Sequence, residues 1–218
     1  MINYDVQTEY FFRMMLPSIK MVAEPYCVEE KNILDATLKN LSSNTHYKIA
    51  VVGAGSLSYI EIVLKYGLYY IAIDPLIHFY IQKEIFYIIN KIPNVSIINS
   101  SFGSFPPKKL PSGQYVYAFI FNVFAYIDNG LEKINKYIKP GDIICISTWN
   151  LKSLASVEIR NSYFRNIYNS ITEKEYIPED FKVCKISDFD TFNFSKLRYY
   201  QNHHRVVGDI IDCLIIQC

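Results

Sequence analysis

The sequence predicts a single-domain α/β fold, a mostly parallel sheet with helices on both faces and an antiparallel pair at its end. Three observations carry this expectation. Short apolar runs alternate with helical segments through five strands, as a parallel sheet requires. The two last extended candidates are too close in sequence for a parallel crossover, so they pair antiparallel. The chain has 218 residues, half of them apolar, which suffices for one core and is short for two.

Residues 6–42 read as one or two helices broken at Pro17 and Pro25, because Phe11, Met14, Met15 and Ile19, then Ile33, Leu34, Leu38 and Leu41, recur at helical spacing. Lys48–Val52 is a short apolar run ending at Gly53, the pattern of a buried parallel strand. Ser56–Tyr66 fits a helix stopped by Gly67. Tyr69–Ile73 is the second strand, closed by Asp74-Pro75, and Ile77–Ile92 the next helix. Val95–Ile98 is the third strand, and Pro106, Pro107 and Pro111 keep the stretch after it from being helical. Tyr115–Phe121, the helix Asp128–Ile138 and Asp142–Ser147 complete the alternation, with a further helix over 153–171. In the tail, Lys196–Gln201 and Gly208–Gln217 read as extended, joined by a polar turn around Asn202–Arg205 that holds His203 and His204.

Composition excludes several function classes. With 22 Lys+Arg against 21 Asp+Glu the net charge is +1, which gives no long-range attraction to nucleic acid or anionic lipid. The 19 Tyr and 14 Phe accompany abundant Ile, Asn and Lys, the bias of an AT-rich coding sequence, and carry no functional weight alone. The 5 cysteines are dispersed without a C-x-x-C pair, unlike a disulfide framework or a zinc site, so no metal is expected. Asp5, Glu9 and Arg13 interrupt the N-terminus, and Lys65, Asp74 and Lys83 interrupt the most apolar region, so neither a signal peptide nor a membrane span is expected. The expectation is a cytoplasmic protein.

The informative stretch is Val51-Val52-Gly53-Ala54-Gly55-Ser56-Leu57, between the first strand and its helix. Glycines at a parallel strand's carboxyl end let the backbone turn sharply and approach a ligand without a Cβ in the way. Asp74 stands at the end of the next strand, where a carboxylate can accept from both hydroxyls of a ribose. Together they point to an adenosine-containing ligand across the sheet's carboxyl edge. A dinucleotide asks for a third small residue, and here Ser58 follows the bulky Leu57.

On these residues the chain resembles the class I S-adenosylmethionine-dependent methyltransferases. The matching pieces are VVGAGSLS, YYIAIDP, IINSSF, FIFNVFAYI and IKPGDIICIS. The G-A-G-S-L run is also similar to the loop of nicotianamine-synthase-like proteins. The resemblance implies a three-layer Rossmann-like sandwich over residues 46–218, with strand order 3-2-1-4-5-7-6, strand seven antiparallel, and residues 1–45 as a helical cap. It implies that Gly53, Ala54, Gly55 and Asp74-Pro75 hold S-adenosylmethionine, with Ser101 and Phe102 at the adenine. Asn122 would face the sulfonium and Tyr126 the reaction centre, while Tyr10, Phe11 and Trp149 line an acceptor pocket. The sequence departs from the usual pattern at Val51, Leu57 and Ser101, where an acid, a glycine and an acid are common.

The first functional expectation is methyl transfer to a small-molecule acceptor, with no nucleic acid and no membrane as partner. Attack on the aminocarboxypropyl arm, releasing methylthioadenosine, is the alternative, and an NAD(P)-binding or non-catalytic nucleotide-binding protein a second. Other side chains have plainer readings: Glu61 and Lys65 as an i,i+4 helix pair, His78 as a surface or adenine-side residue, and Tyr163, Phe164 and Tyr168 as acceptor-pocket candidates that core packing explains equally well.

Overall fold

The computed structural model describes residues 17–41, 46–77, 81–89, 91–171 and 187–218. Seven strands form one sheet: β1 (Tyr47–Val52), β2 (Tyr69–Ile73), β3 (Val95–Ile98), β4 (Gln114–Phe119), β5 (Ile143–Trp149), β6 (Asn202–Val207) and β7 (Ile211–Gln217). Their order is β3-β2-β1-β4-β5-β7-β6, with β1 to β5 parallel and β7 antiparallel to both its neighbours. This is the topology and strand direction that the resemblance implies.

Side-chain alternation divides the core. On β1, Ile49 and Val51 join one cluster with Leu34, Leu38, Ile62 and Val63, while Ala50 and Val52 join another with Phe102, Phe105, Tyr137 and Ile138. On β4, Val116 and Ala118 go to the first cluster, and Tyr115, Tyr117 and Phe119 to the second. A sheet buried on both faces explains why its strands read as unbroken apolar runs.

Helices α1 (Pro17–Val22) and α2 (Glu24–Leu41) precede the sheet, followed by α3 (Ile60–Lys65), α4 (Lys83–Ile89), α5 (Gly130–Ile134) and α6 (Leu154–Ile171). The break between α1 and α2 falls at Ala23, so Pro25 lies in the first turn of α2 instead of ending a helix. No helix among the described residues is long and apolar enough to cross a membrane.

Three expectations are corrected. The helix predicted from Ser56 starts at Ile60, because Leu57 and Tyr59 take left-handed φ values of 67° and 65°. Lys196–Gln201 is no strand, and the polar segment Asn202–Val207, expected as a turn, is β6 itself; the hairpin turn lies at residues 208–210. An edge strand exposes most of its side chains, so His203, His204 and Arg205 suit it and mask its period. Glu61 and Lys65 do not pair with each other: Glu61 bonds Lys31 at 3.1 Å and Lys65 bonds Asp35 at 3.0 Å, both tying α3 to α2.

Candidate cofactor and acceptor site

The carboxyl ends of β1, β2 and β4 open into a cavity of about 280 Å³. Its floor is the glycine loop. Gly53 has φ +78°, and its N–H donates to the Ile73 carbonyl at 2.9 Å. A Cβ at Gly53 would stand 2.9 Å from Val123 Cγ2, so φ and space both require glycine there. Leu57, where the resemblance implies a third glycine, has φ 67°; burial of its side chain in the core offsets the left-handed conformation.

Asp74 stands in the cavity wall at 8% exposure. One carboxylate oxygen accepts from the Gly55 N–H at 3.0 Å and the other from the Leu76 N–H at 2.7 Å. The acid after β2 therefore fastens the glycine loop after β1 and is itself oriented by two main-chain donors. A carboxylate fixed this way at the cavity wall fits a ribose diol. Pro75, Ser101 and Phe102 continue the same wall, and Phe102 is anchored by ring contacts to Phe105, Tyr117, Phe119 and Tyr137.

The opposite wall begins after β4. Phe121 and Asn122 have consecutive left-handed φ values of 49° and 58°, which reverse the chain and bring Val123 against Gly53. Phe121, Val123, Tyr126 and Ile127 line the cavity. Asn122 is not among them: its Oδ1 accepts from the Thr148 hydroxyl at 2.8 Å and the Ser187 N–H at 3.4 Å. The double left-handed turn thus directs Asn122 toward β5, away from the position that the resemblance implied.

The structure separates other sequence candidates. Ala54 is fully buried in the core beneath the loop, and Trp149 packs with Tyr26, Phe121, Tyr163 and Phe164; neither lines the cavity. Tyr163 does line it. Tyr10, Phe11 and His78 lie outside the described residues. His203 is at the sheet edge, stacked on Phe194 and bonded to Tyr200. Among the described residues no group of three or more His, Cys, Asp or Glu is placed to hold a metal ion.

Sequence reasoning missed Glu30. It projects from α2 into the cavity wall at 4% exposure, beside Cys27. Its Oε1 accepts from the Phe121 N–H at 2.7 Å and from the Ser147 hydroxyl, and its Oε2 accepts from the Tyr59 hydroxyl at 2.5 Å. Burial raises its pKa from the ordinary carboxylate value, while these three donors oppose the rise. Burial also pushes the Cys27 thiol up to about 12, which makes it a poor nucleophile. The signal was available: Tyr26, Glu30, Leu34 and Leu38 form the buried stripe of α2, an apolar stripe interrupted by one acid.

No protein-family model and no curated protein matches the chain. Solved structures do match. An O-methyltransferase family protein from Burkholderia thailandensis superposes with a TM-score of 0.58 at 12% identity, covering 90% of this chain and 57% of that one. A proposed S-adenosyl-L-methionine-dependent methyltransferase from Methanococcus maripaludis gives 0.51 at 15% identity, over 92% and 90% of the two chains. A proposed methyltransferase from Thermobifida fusca gives 0.50 at 9% identity, over 97% and 87%. The chain thus has the Rossmann-like fold of class I S-adenosylmethionine-dependent methyltransferases.

Proposed function

We propose that the chain is an S-adenosylmethionine-dependent transferase that moves the methyl group to a small-molecule acceptor. The observation that supports this best is Asp74, bonded to the Gly55 and Leu76 N–H groups in the wall of a cavity at the sheet's carboxyl edge. Fold alone does not fix function, so the reading rests on this site. Residues 46–218 form the cofactor-binding unit, with the preceding residues as its cap.

Each residue has a defined task. Gly53 and Gly55 bring main chain close to the ligand without side chains between them, and Asp74 accepts from the ribose hydroxyls. Ser101 and Phe102 border the adenine, with Phe102 held rigid by its aromatic neighbours. Tyr126 and Phe121 shape the space next to the reacting centre. When bound, S-adenosylmethionine supplies a sulfonium whose attached carbons are electrophilic. A cavity with fixed walls supplies alignment, which is the main requirement of such a displacement.

The test is to incubate the purified protein with S-adenosylmethionine and follow adenosine products by mass spectrometry. S-adenosylhomocysteine, formed once an acceptor is added, supports methyl transfer. Methylthioadenosine formed above an Asp74→Ala control moves the assignment to the aminocarboxypropyl arm. No product, together with no thermal shift on adding S-adenosylmethionine, removes the transferase reading, and binding of NAD(P) in its place would support an oxidoreductase.

A further inference from the structure

Glu30 is a buried carboxylate whose partners carry no positive charge. Buried charges in proteins are normally paired, because an unpaired one forfeits its hydration for nothing. Two other buried acids obey the rule. Asp212 is bonded by the Arg205 guanidinium, and Asp142 has the Lys139 charge nearby as well as the Tyr115 and Lys139 N–H groups. Glu30 forms no ion pair among the described residues. Lys20 lines the same cavity, where its charge acts on Cys27, and it forms no ion pair with Glu30.

The acceptor count points the same way. Oε1 takes two donors, from Phe121 and Ser147, whereas Oε2 takes one, from Tyr59. A carboxylate oxygen has two lone pairs, so Oε2 keeps capacity for one more hydrogen bond. Glu30 borders the cavity together with the rings of Tyr59, Phe121 and Tyr163, and aromatic faces attract cations. The carboxylate also lies on the β4–β5 side of the cavity, across the glycine loop from Asp74.

We propose that Glu30 is the anchor for a ligand ammonium group, the cation that completes this buried carboxylate. Under the transferase reading, on which the identity of the ligand rests, the ammonium belongs either to an amine-bearing acceptor or to the amino-acid arm of S-adenosylmethionine. In both cases one N–H donates to Oε2, and the ammonium charge holds Glu30 ionised inside the cavity.

Calorimetric titration with two matched pairs tests this. The first pair is phenethylamine and phenethyl alcohol, each added with saturating S-adenosylhomocysteine; the second is S-adenosylhomocysteine and its desamino analogue. The expected result is binding of the charged member about tenfold tighter in at least one pair, the scale of a hydrogen bond to a charged group. That preference is expected to disappear in Glu30→Gln, which keeps an acceptor for the Phe121 N–H. A preference in the first pair assigns the ammonium to the acceptor, and one in the second to the cofactor. Equal affinities within both pairs overturn the proposal, as does a preference that survives Glu30→Gln. If that variant fails to fold, the wild-type pairs decide by themselves. Failure of S-adenosylhomocysteine to bind at all overturns the transferase reading instead, and the amine and alcohol titrated without it then decide for Glu30.

Discussion

At the scale of residues, Asp74 couples two strand ends through hydrogen bonds from Gly55 and Leu76. Asp74→Ala leaves both donors without their acceptor at a nearly buried position, which costs about 1–3 kcal/mol in folding stability. It is also expected to weaken S-adenosylhomocysteine at least about tenfold by calorimetry, since hydrogen bonds to a charged group are worth that much. Unchanged affinity would exclude Asp74 from the ribose site. Gly53→Ala meets both a φ of +78° and Val123 at 2.9 Å. Strain and overpacking together predict about 2–3 kcal/mol of destabilisation in urea unfolding. A neutral result would mean that the Phe121–Val123 turn moves aside easily. Gly53, Gly55 and Asp74 were legible in the sequence because they punctuate apolar strands. Glu30 was not, since a glutamate in a long helix usually faces water, and only its four-residue spacing from Tyr26 and Leu34 marks it as inward. Nor was the orientation of Asn122, which depends on two successive left-handed residues that no composition rule announces.

At the scale of elements, helix α2 connects the site to the rest of the fold. Through Glu30 it meets Tyr59 of the glycine loop, Phe121 of the turn after β4 and Ser147 of β5, and through Lys31 and Asp35 it holds α3. At the other end of the sheet, Arg205 of edge strand β6 is bonded to Asp212 of β7 and to Asp190. Asp212 is 4% exposed whereas the Arg205 side chain is about one-third exposed, at 30%. Asp212→Ala therefore strands a cation only part-shielded from solvent, and about 2 kcal/mol is expected from chemical denaturation, less than for a fully buried pair. No loss would mean that Asp190 and water replace the partner. The strands of the parallel core were readable from sequence because burial on both faces makes them continuous apolar runs. β6 was misplaced by a whole segment, because one partner strand and an exposed surface allow a polar sequence.

At the scale of the molecule, the buried acids set a pH dependence whose sign can be worked out. Burial raises the pKa of Glu30 and of Asp142. A raised folded value means that the folded state holds the proton more tightly than the unfolded chain does. This contribution is fully present below the unfolded value of about 4 and is lost as pH rises through the folded value. Asp35 and Asp190 are shifted down, chiefly by hydrogen bonds from Lys65 and Arg205; their contribution is present above about pH 4 and lost on acidification. These two are solvent-exposed, so screening keeps their contribution small. The ligand-free protein is therefore expected to gain melting temperature from Glu30 and Asp142 as pH falls through their raised folded values toward about 4. Glu30→Gln is expected to melt at or above wild type at pH 7 and to flatten that slope. A variant that melts lower at pH 7 and keeps the slope would show that Glu30 carries no charge burden in the free protein.

The carboxyl edge between the glycine loop and Asp74 is the proposed binding site for S-adenosylmethionine. Its most direct measurement is the melting temperature of the wild type and of Asp74→Ala with and without S-adenosylhomocysteine. At a ligand concentration about 100 times the dissociation constant, specific binding adds about 2.7 kcal/mol, a shift of several degrees. That shift is expected in the wild type and is lost in the variant. An equal shift in both proteins, or none in either, would contradict it.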